Sequence, residues 1–540
     1  MLFNSWEFLI LLLLTVALYY LPLRAGRKVW QITLLLAASA VFYAWENPKL
    51  LILLSASCLL NAIAVERILL WKNRIMSDEE REPSGSEAPH SIQNPTSKIQ
   101  NSKARHWLVA TVALNLGFLA FFKYAGFLAG LLPSSLLPAP CLLWLSDIPL
   151  PVGISFYTFQ GISLVVDVWR NDISEHASQR FSARGHDRAG SIRDTSFYIS
   201  FFPQLVAGPI VKAHEFVDQI GSKHLREVDW ITVRQSLITG YFLKIFVADN
   251  LAEQTAYLGA GGAGLADASA LNTVPLLYCY SFQIFADFAG YSLIAIGLGA
   301  LFGYKLPQNF NFPYLSTSIT EFWRRWHLSL SSWLRDYLYF PLGGNRKGSG
   351  RTYFNLFLVM FLGGLWHGAA WKFALWGSLH GIFLAAERLE KSGFSILNFR
   401  CWMKKPEDDV PANSSSKSKI QNPKSKITIF AITMAKWSIT FHLVTALWLT
   451  FMMPDMASIA AFFKGLFNGK TGFSGPPIFS LLFYGSAVVL YHAWGWLREH
   501  RKHFASQLAR SNLTPALHGL MLFLVITNPG APRGFIYFQF

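Results

Sequence analysis

Charge is scarce in this chain: only 14% of its 540 residues are Asp, Glu, Lys or Arg, against 52% hydrophobic. That proportion leaves too little polar surface to cover a soluble globule of this length, and it points to a bilayer. Cysteine is scarcer still. Cys58, Cys141, Cys279 and Cys401 lie far apart and show no CxxC spacing, so neither a disulfide frame nor a zinc knot is signalled. There is no GxSxG nucleophile elbow, no HExxH pair and no Walker lysine, which argues against a lipase-type serine enzyme, a zinc protease and an ATPase. Gly259–Gly264 matches GxGxxG literally but precedes no βαβ pattern and reads as a flexible turn. A basic n-region is missing as well, since Glu7 is the only charge before the first apolar run. That run is therefore expected to stay as a membrane span and not to be cleaved as a signal.

What is present is a succession of apolar runs that reach or approach the roughly 20 residues needed to cross about 30 Å of hydrocarbon. They are Phe8–Leu23, Trp30–Trp45, Leu50–Leu70, Trp107–Phe122, Trp230–Val247, Thr273–Phe302, Tyr353–Leu365, Ala370–Ala386, Ile427–Met453, Ile478–Trp496 and Leu513–Ile526. The expectation is an all-α polytopic integral membrane protein of roughly 11 transmembrane helices, with pieces such as Pro149–Val168 re-entrant or interfacial. Arg24, Arg27 and Lys28 follow the first span, and the loop after the third is again basic, so the positive-inside rule puts the N-terminus outside and the Arg67–Arg105 loop in the cytoplasm. The net charge of +16 is distributed among such loops and forms no contiguous basic domain, which argues against a nucleic-acid partner.

Two polar segments, Ser77–Arg105 and Lys404–Lys426, interrupt the pattern and can bury no core. They divide the chain into N-terminal spans (1–76), a polar insertion (77–105), a central block (106–400), a second insertion (401–426) and C-terminal spans with an aromatic end (427–540). The insertions share SKIQN at Ser97–Asn101 and Ser418–Asn422, too short a likeness to be a solenoid unit. Both are expected to be disordered and cytoplasmic.

The polar and aromatic signals concentrate in the central block. Pro151–Gln160 and Phe201–Ile210 combine Pro and Gly with polar residues, which suits broken helices lining a cavity, although a kinked span is the plain alternative for the first. Asp287, inside a long apolar stretch, must contact a polar partner, as in a structural ion pair, or be protonated. Glu321–Tyr337 is too charged to face lipid throughout and too aromatic to be a free loop. It reads as one helix, with Glu321 and Arg325 placed as an i,i+4 pair and His327 on it. The Gly343–Arg351 stretch that follows is a basic turn.

His367 lies fourteen residues beyond Tyr353, about 20 Å along a helix, in GGLWHG, where Lys372 is the only charge between Phe354 and Phe383. A lone buried histidine can be purely structural. Here glycines leave room around the ring, with Trp366 and Trp371 beside it, and neutral imidazole suits removal of a proton from a hydroxyl attacking a thioester. His380, in GSLHG, is the weaker candidate. No metal site is expected, because forty residues separate His327 from His367 with no carboxylate cluster near either.

These residues resemble the membrane-bound O-acyltransferase (MBOAT) family, in its bacterial branch concerned with alginate O-acetylation and teichoic acid D-alanylation. The most specific pieces are Arg324–Arg346, RRWHLSLSSWLRDYLYFPLGGNR, and Gly364–Gly368, GLWHG, joined by Phe201–Ile210 and Asp287–Tyr291. The resemblance implies helices around a central tunnel, His367 as catalytic base and His327 on the other side of the same funnel. Trp366, Gly364, Gly368, Trp326, Arg335, Asp336 and Asp287 would then serve as tunnel or support residues. It further implies a cytoplasmic thioester donor, acetyl-CoA or an acyl carrier protein, used as substrate with no tightly bound cofactor. A secreted or membrane-anchored acetyltransferase partner would complete transfer to a surface polysaccharide from the inner or plasma membrane. The aromatic end, Gly534–Phe540, resembles a C-terminal motif of this branch and marks Tyr537 as a candidate acyl carrier, the alternative being an interfacial anchor.

Overall fold

A computed structural model describes residues 1–23, 25–79, 95–132, 138–146, 148–181, 187–206, 208–259, 261, 264–391, 423–472 and 475–536. Much of both polar insertions, part of the 259–264 turn and Tyr537 lie outside the described residues. Among the described residues the chain is helical, without strands. It divides into two compact units, one comprising Met1–Asp249, Ile284–Asn309 and Pro515–Phe540, the other Asn250–Gln283 and Phe310–Thr514. Helix Ala270–Leu301 contributes its first part, to Gln283, to the second unit and the rest, from Ile284, to the first.

Five helices among the described residues are long and apolar enough to cross a membrane, at Leu50–Lys72, Ser102–Ala129, Ala270–Leu301, Ile427–Met452 and Pro476–His500. Burial separates them: 89% of the apolar window of Ala270–Leu301 is inside the protein, against 11% for Ile427–Met452. The first is thus an internal helix, whereas most of the apolar window of the second faces outward and its C-terminal end, from Val444 to Phe451, is largely buried. Three further apolar helices, Trp6–Tyr19, Met456–Leu466 and Leu513–Thr527, have 14, 11 and 15 residues. At about 1.5 Å per residue they fall short of a full hydrocarbon crossing. Length and hydropathy therefore return fewer spans than the roughly 11 read from apolar runs alone.

In the first unit, the two Pro/Gly motifs meet. Gly153 takes a left-handed conformation, φ 76°, immediately before helix Ile154–Arg170, and a Cβ there would lie 2.8 Å from the Leu205 carbonyl oxygen. Only glycine satisfies both the dihedral and the contact. Opposite it, helix Arg188–Ser200 stops and the single turn Phe202–Leu205 begins, with Pro203 in its first positions, where a missing N–H costs nothing. The helix starting at Gly153 is buried around nearly its whole circumference.

The second unit is built on the antiparallel pair Gly348–His367 and Trp371–Lys391. Gly364 and Gly377 let the two backbones touch: a Cβ on Gly364 would come 2.3 Å from the Phe373 carbonyl oxygen, and one on Gly377 2.3 Å from that of Met360. Small residues at a helix crossing permit this approach in a membrane, where packing replaces the hydrophobic effect as the attraction between helices. The glycine turn before the pair uses Gly343 and Gly344 at φ 103° and 53°, and the Asn355 amide donates to the Gly344 carbonyl at 3.1 Å. An apolar cluster of Leu258, Leu265, Leu276, Leu449, Met453, Ile459 and Phe462 completes the unit.

Candidate active site

The segment expected to be one helix from Glu321 to Tyr337 is two, Ile319–Trp323 and Leu328–Leu334, followed by a π-helical turn, Arg335–Tyr339. The break falls at His327, a non-glycine residue at φ 44°, ψ 55°. Left-handed backbone costs an L-residue about 1–2 kcal/mol and persists only where surrounding contacts over-determine it. Those contacts are identifiable. The Glu387 carboxylate, from the second helix of the antiparallel pair, accepts from the Ile319 and Thr320 amides and from the Thr320 hydroxyl, the last at 2.7 Å. The Ser318 hydroxyl accepts from the Glu321 amide at 3.1 Å. The expected Glu321–Arg325 pair forms at 2.9 Å, and the same guanidinium reaches Glu499 with both terminal nitrogens, at 2.5 and 3.1 Å. Burial opposes ionisation of Glu321, but the Thr317 amide and hydroxyl and Arg325 outweigh it and hold the carboxyl below its ordinary range.

Helix propensity through this stretch is thus overridden by side chains distant in sequence, and His327 is turned inward, fully buried. Removing the cap tests the arrangement. Glu387→Ala leaves two amides and a hydroxyl without their acceptor and is expected to destabilise the unit by about 1–2 kcal/mol. A fall in the thermal unfolding midpoint of the detergent-solubilised protein would register it; an unchanged midpoint would mean that Glu387 does not hold the break.

His367 is the last residue of helix Gly348–His367 and is buried. Gly368 follows in extended conformation, and a Cβ there would lie 2.1 Å from the Phe373 ring, so the chain can turn away from His367 only because residue 368 has no side chain. The His367 imidazole is enclosed by Trp366, Trp376 and Phe451, with ring centroids at 5.1, 5.2 and 5.2 Å, all steeply inclined to it. The His327 ring lies 6.2 Å from the same Trp366. On the other side, Trp376 is 4.8 Å from His380.

The three histidines therefore alternate with two tryptophans in one aromatic box, backed by Trp448, which stacks on Trp376 at 5.6 Å and lies 4.9 Å from Trp326. His380 is differently committed. The Trp323 indole N–H donates to its Nδ1 at 3.2 Å, which assigns the proton of the neutral ring to Nε2 and fixes its orientation. Such a ring serves as a wall and an anchor for the Ile319–Trp323 turn.

Of the remaining sequence candidates, Trp366, Gly364, Gly368 and Trp326 belong to this box or its support. Arg335 and Asp336 instead pair with each other at 2.7 Å in the π-helical turn, with Arg335 largely exposed. Asp287 lies in the first unit, where it meets Lys244 Nζ at 2.7 Å, the ion pair that its burial required. Sequence reading missed Trp376, Trp448, Phe451 and Glu387. Trp376 and Glu387 sit in the central block without a motif of their own, and Trp448 and Phe451 come from a helix beyond the second insertion, with nothing local to tie them to a histidine. Among the described residues no group of three or more His, Cys, Asp or Glu is arranged to hold a metal ion.

Buried histidines thus share an aromatic box on helices joined by glycine contacts, within an apolar, helical membrane-type fold. The model of the membrane-bound O-acyltransferase family matches residues 2–407, and the chain belongs to that family. It is 36% identical over 393 residues to a probable alginate O-acetylase of Pseudomonas putida, an alignment covering 72% of this chain and 71% of that protein. It is 32% identical over 466 residues to a peptidoglycan O-acetyltransferase of Helicobacter pylori, covering 81% and 73%. A teichoic acid D-alanyltransferase of Bacillus subtilis is 29% identical over 246 residues, covering 43% and 58%. The chain is accordingly a multi-pass membrane O-acyltransferase.

Proposed function

We propose that this protein moves an acetyl group from a cytoplasmic thioester, acetyl-CoA or an acetylated carrier protein, across the membrane toward O-acetylation of an extracellular or periplasmic polysaccharide. The observation that supports the reading most directly is His367 in its aromatic box, with His327 on the far side of Trp366. A hydroxyl oxygen attacks the thioester carbonyl carbon while His367 takes its proton. The tetrahedral intermediate collapses, the C–S bond breaks, and the departing thiolate recovers the proton as a thiol. His327 orients or assists. A buried apolar enclosure favours this chemistry because it keeps water, the competing nucleophile, from the thioester.

Passage of the acyl group would follow a central tunnel, and Tyr537 is proposed as the residue that carries it onward. A secreted or membrane-anchored acetyltransferase then completes transfer to the glycan. The protein is placed in the inner or plasma membrane with its N-terminus outside. Two of the relatives are named for O-acetylation of alginate and of peptidoglycan, which favours acetyl over D-alanyl; D-alanyl or lipid acyl transfer is the alternative enzymatic reading, and a transporter of acyl groups the non-enzymatic one.

The test measures the ester-linked acetyl and D-alanyl content of cell-surface polymers in a strain lacking the chain and again after complementation. Acetyl restored by the complementing copy supports the proposal. D-Alanyl restored in its place moves the assignment to the alternative, and no change in either ester sinks it. In the same cells, intact mass under turnover-blocked conditions should show an acetyl adduct that is lost in Tyr537→Phe.

A further inference from the structure

The most highly charged buried cluster of the first unit is not used by the chemistry proposed above. Lys244, Asp249 and Asp287 are each at least 95% buried, and Lys244 Nζ sits 2.7 Å from both carboxylates. Its position follows from local backbone. Lys244 lies in a π-helical stretch, Phe242–Ala248, and Gly240 and Gly290 bring that stretch against helix Ala270–Leu301. A Cβ on Gly290 would lie 2.8 Å from the Lys244 amide nitrogen, so the two backbones are in contact there. One cation faces two carboxylates, which leaves one negative charge uncompensated in a buried site, a costly arrangement unless something else completes it.

The C-terminal segment completes it. The Ile536 amide donates to Asp287 Oδ2 at 2.8 Å, and the Arg533 carbonyl accepts from Lys244 Nζ at 3.2 Å. The Gly530 amide donates to the Ile245 carbonyl at 3.3 Å. The Arg533 guanidinium adds a further, weaker electrostatic attraction on Asp249, smaller than that of Lys244. Phe535 is fully buried, its ring 4.7 Å from Tyr291 and 5.5 Å from Phe288, and Phe3 lies at 4.7 Å from the same Tyr291. The segment is thus recognised mainly through its main chain, with one aromatic plug and one charge.

We propose that Lys244, Asp249 and Asp287 form a socket that docks the C-terminal segment through the Ile536 amide and the Phe535 ring, and so anchors the chain immediately before Tyr537. A carboxylate that served only to neutralise Lys244 would not need its second oxygen directed at a tail amide, and Asp249 already neutralises the lysine. Asp287 is a positioning residue in this scheme. Its effect on acyl transfer rests on the functional reading above, since Tyr537 directly follows Ile536.

The experiment is hydrogen exchange, read by mass spectrometry on the full-length protein in lipid nanodiscs, over peptides covering 529–536 and helix Ala270–Leu301. It is paired with surface-polymer acetyl content in cells. Ile536→Pro removes the docking N–H and Phe535→Ala the plug, and neither alters the buried triad, so the core should remain folded. Both are expected to raise exchange in 529–536 at least tenfold with the Ala270–Leu301 peptides unchanged, and to lower acetyl content at least tenfold. Asp287→Ala should reproduce the tail effect, and Asp287→Asn, which keeps an acceptor, should retain part of the protection. Unchanged exchange in both tail-side variants would overturn the socket, and faster exchange with full acetylation would overturn its positioning role. If the wild-type chain acetylates nothing, the functional reading fails alone, and exchange still decides whether the socket holds the tail.

Discussion

Replacing His367 by Ala is expected to lower polymer acetylation by about 10²–10⁴-fold, the contribution typical of a positioned general base, with membrane abundance of the protein unchanged. The physical reason lies in the enclosure. Trp366, Trp376 and Phe451 surround the ring at 5.1–5.2 Å and Gly368 lets the backbone turn away behind it, so the side chains packed on the imidazole are aromatic rings with no basic group to take its place. Retained acetylation in the variant would remove His367 from the mechanism. His327 needs a subtler comparison, because its replacement changes backbone as well as chemistry. Asn tolerates the left-handed conformation at this position far better than Ala. If His327→Asn and His327→Ala lose activity equally while only the latter loses stability, the side chain itself assists the reaction. If Asn restores activity, His327 matters as a turn.

Gly364→Val is the second large effect expected. Even a single Cβ at 364 would sit 2.3 Å from the Phe373 carbonyl oxygen and 2.9 Å from the Gly377 Cα, both rigid backbone atoms in the facing helix. The pair Gly348–His367 and Trp371–Lys391 must therefore separate, carrying His367 away from Trp376. Overpacking of this kind costs about 1–3 kcal/mol or more, and the β-branched side chain leaves no rotamer that avoids it. The measurable outcome is loss of monodisperse protein on size exclusion after detergent extraction, together with loss of acetylation. Gly350, whose added Cβ would meet nothing within 4 Å, is the matched control and should tolerate Ala. Normal folding of Gly364→Val would mean that the helices do not cross at their glycines.

The membrane class, the helical fold and the segment in which buried histidines meet tryptophans could be read from composition and from residue order, because apolar run length and the burial cost of an ionisable group are local properties. His367 stood out for that reason, as did Asp287, whose partner Lys244 lies 43 residues away and carries no local sign of the pairing. The same local reasoning took Glu321–Tyr337 for one helix. It could not see Glu387, 60 or more residues on, capping the first turn, nor the left-handed His327 that the cap and the Arg325–Glu499 pair enforce. Nor could it see that Trp448 and Phe451, from beyond a polar insertion, back the histidines. Of the roughly 11 apolar runs, five lie in helices that are long and apolar enough to cross a membrane among the described residues, a property of the folded helix that run length alone does not fix.

Sequence alone determined that this protein lives in a bilayer and that it sets histidines among tryptophans and glycines. Tertiary structure alone decided which rings face one another, where the chain breaks to bring them together, and what occupies the Lys244–Asp249–Asp287 cluster. Burial is a cost that every residue declares for itself, whereas satisfaction of a buried group depends on whatever the fold brings beside it.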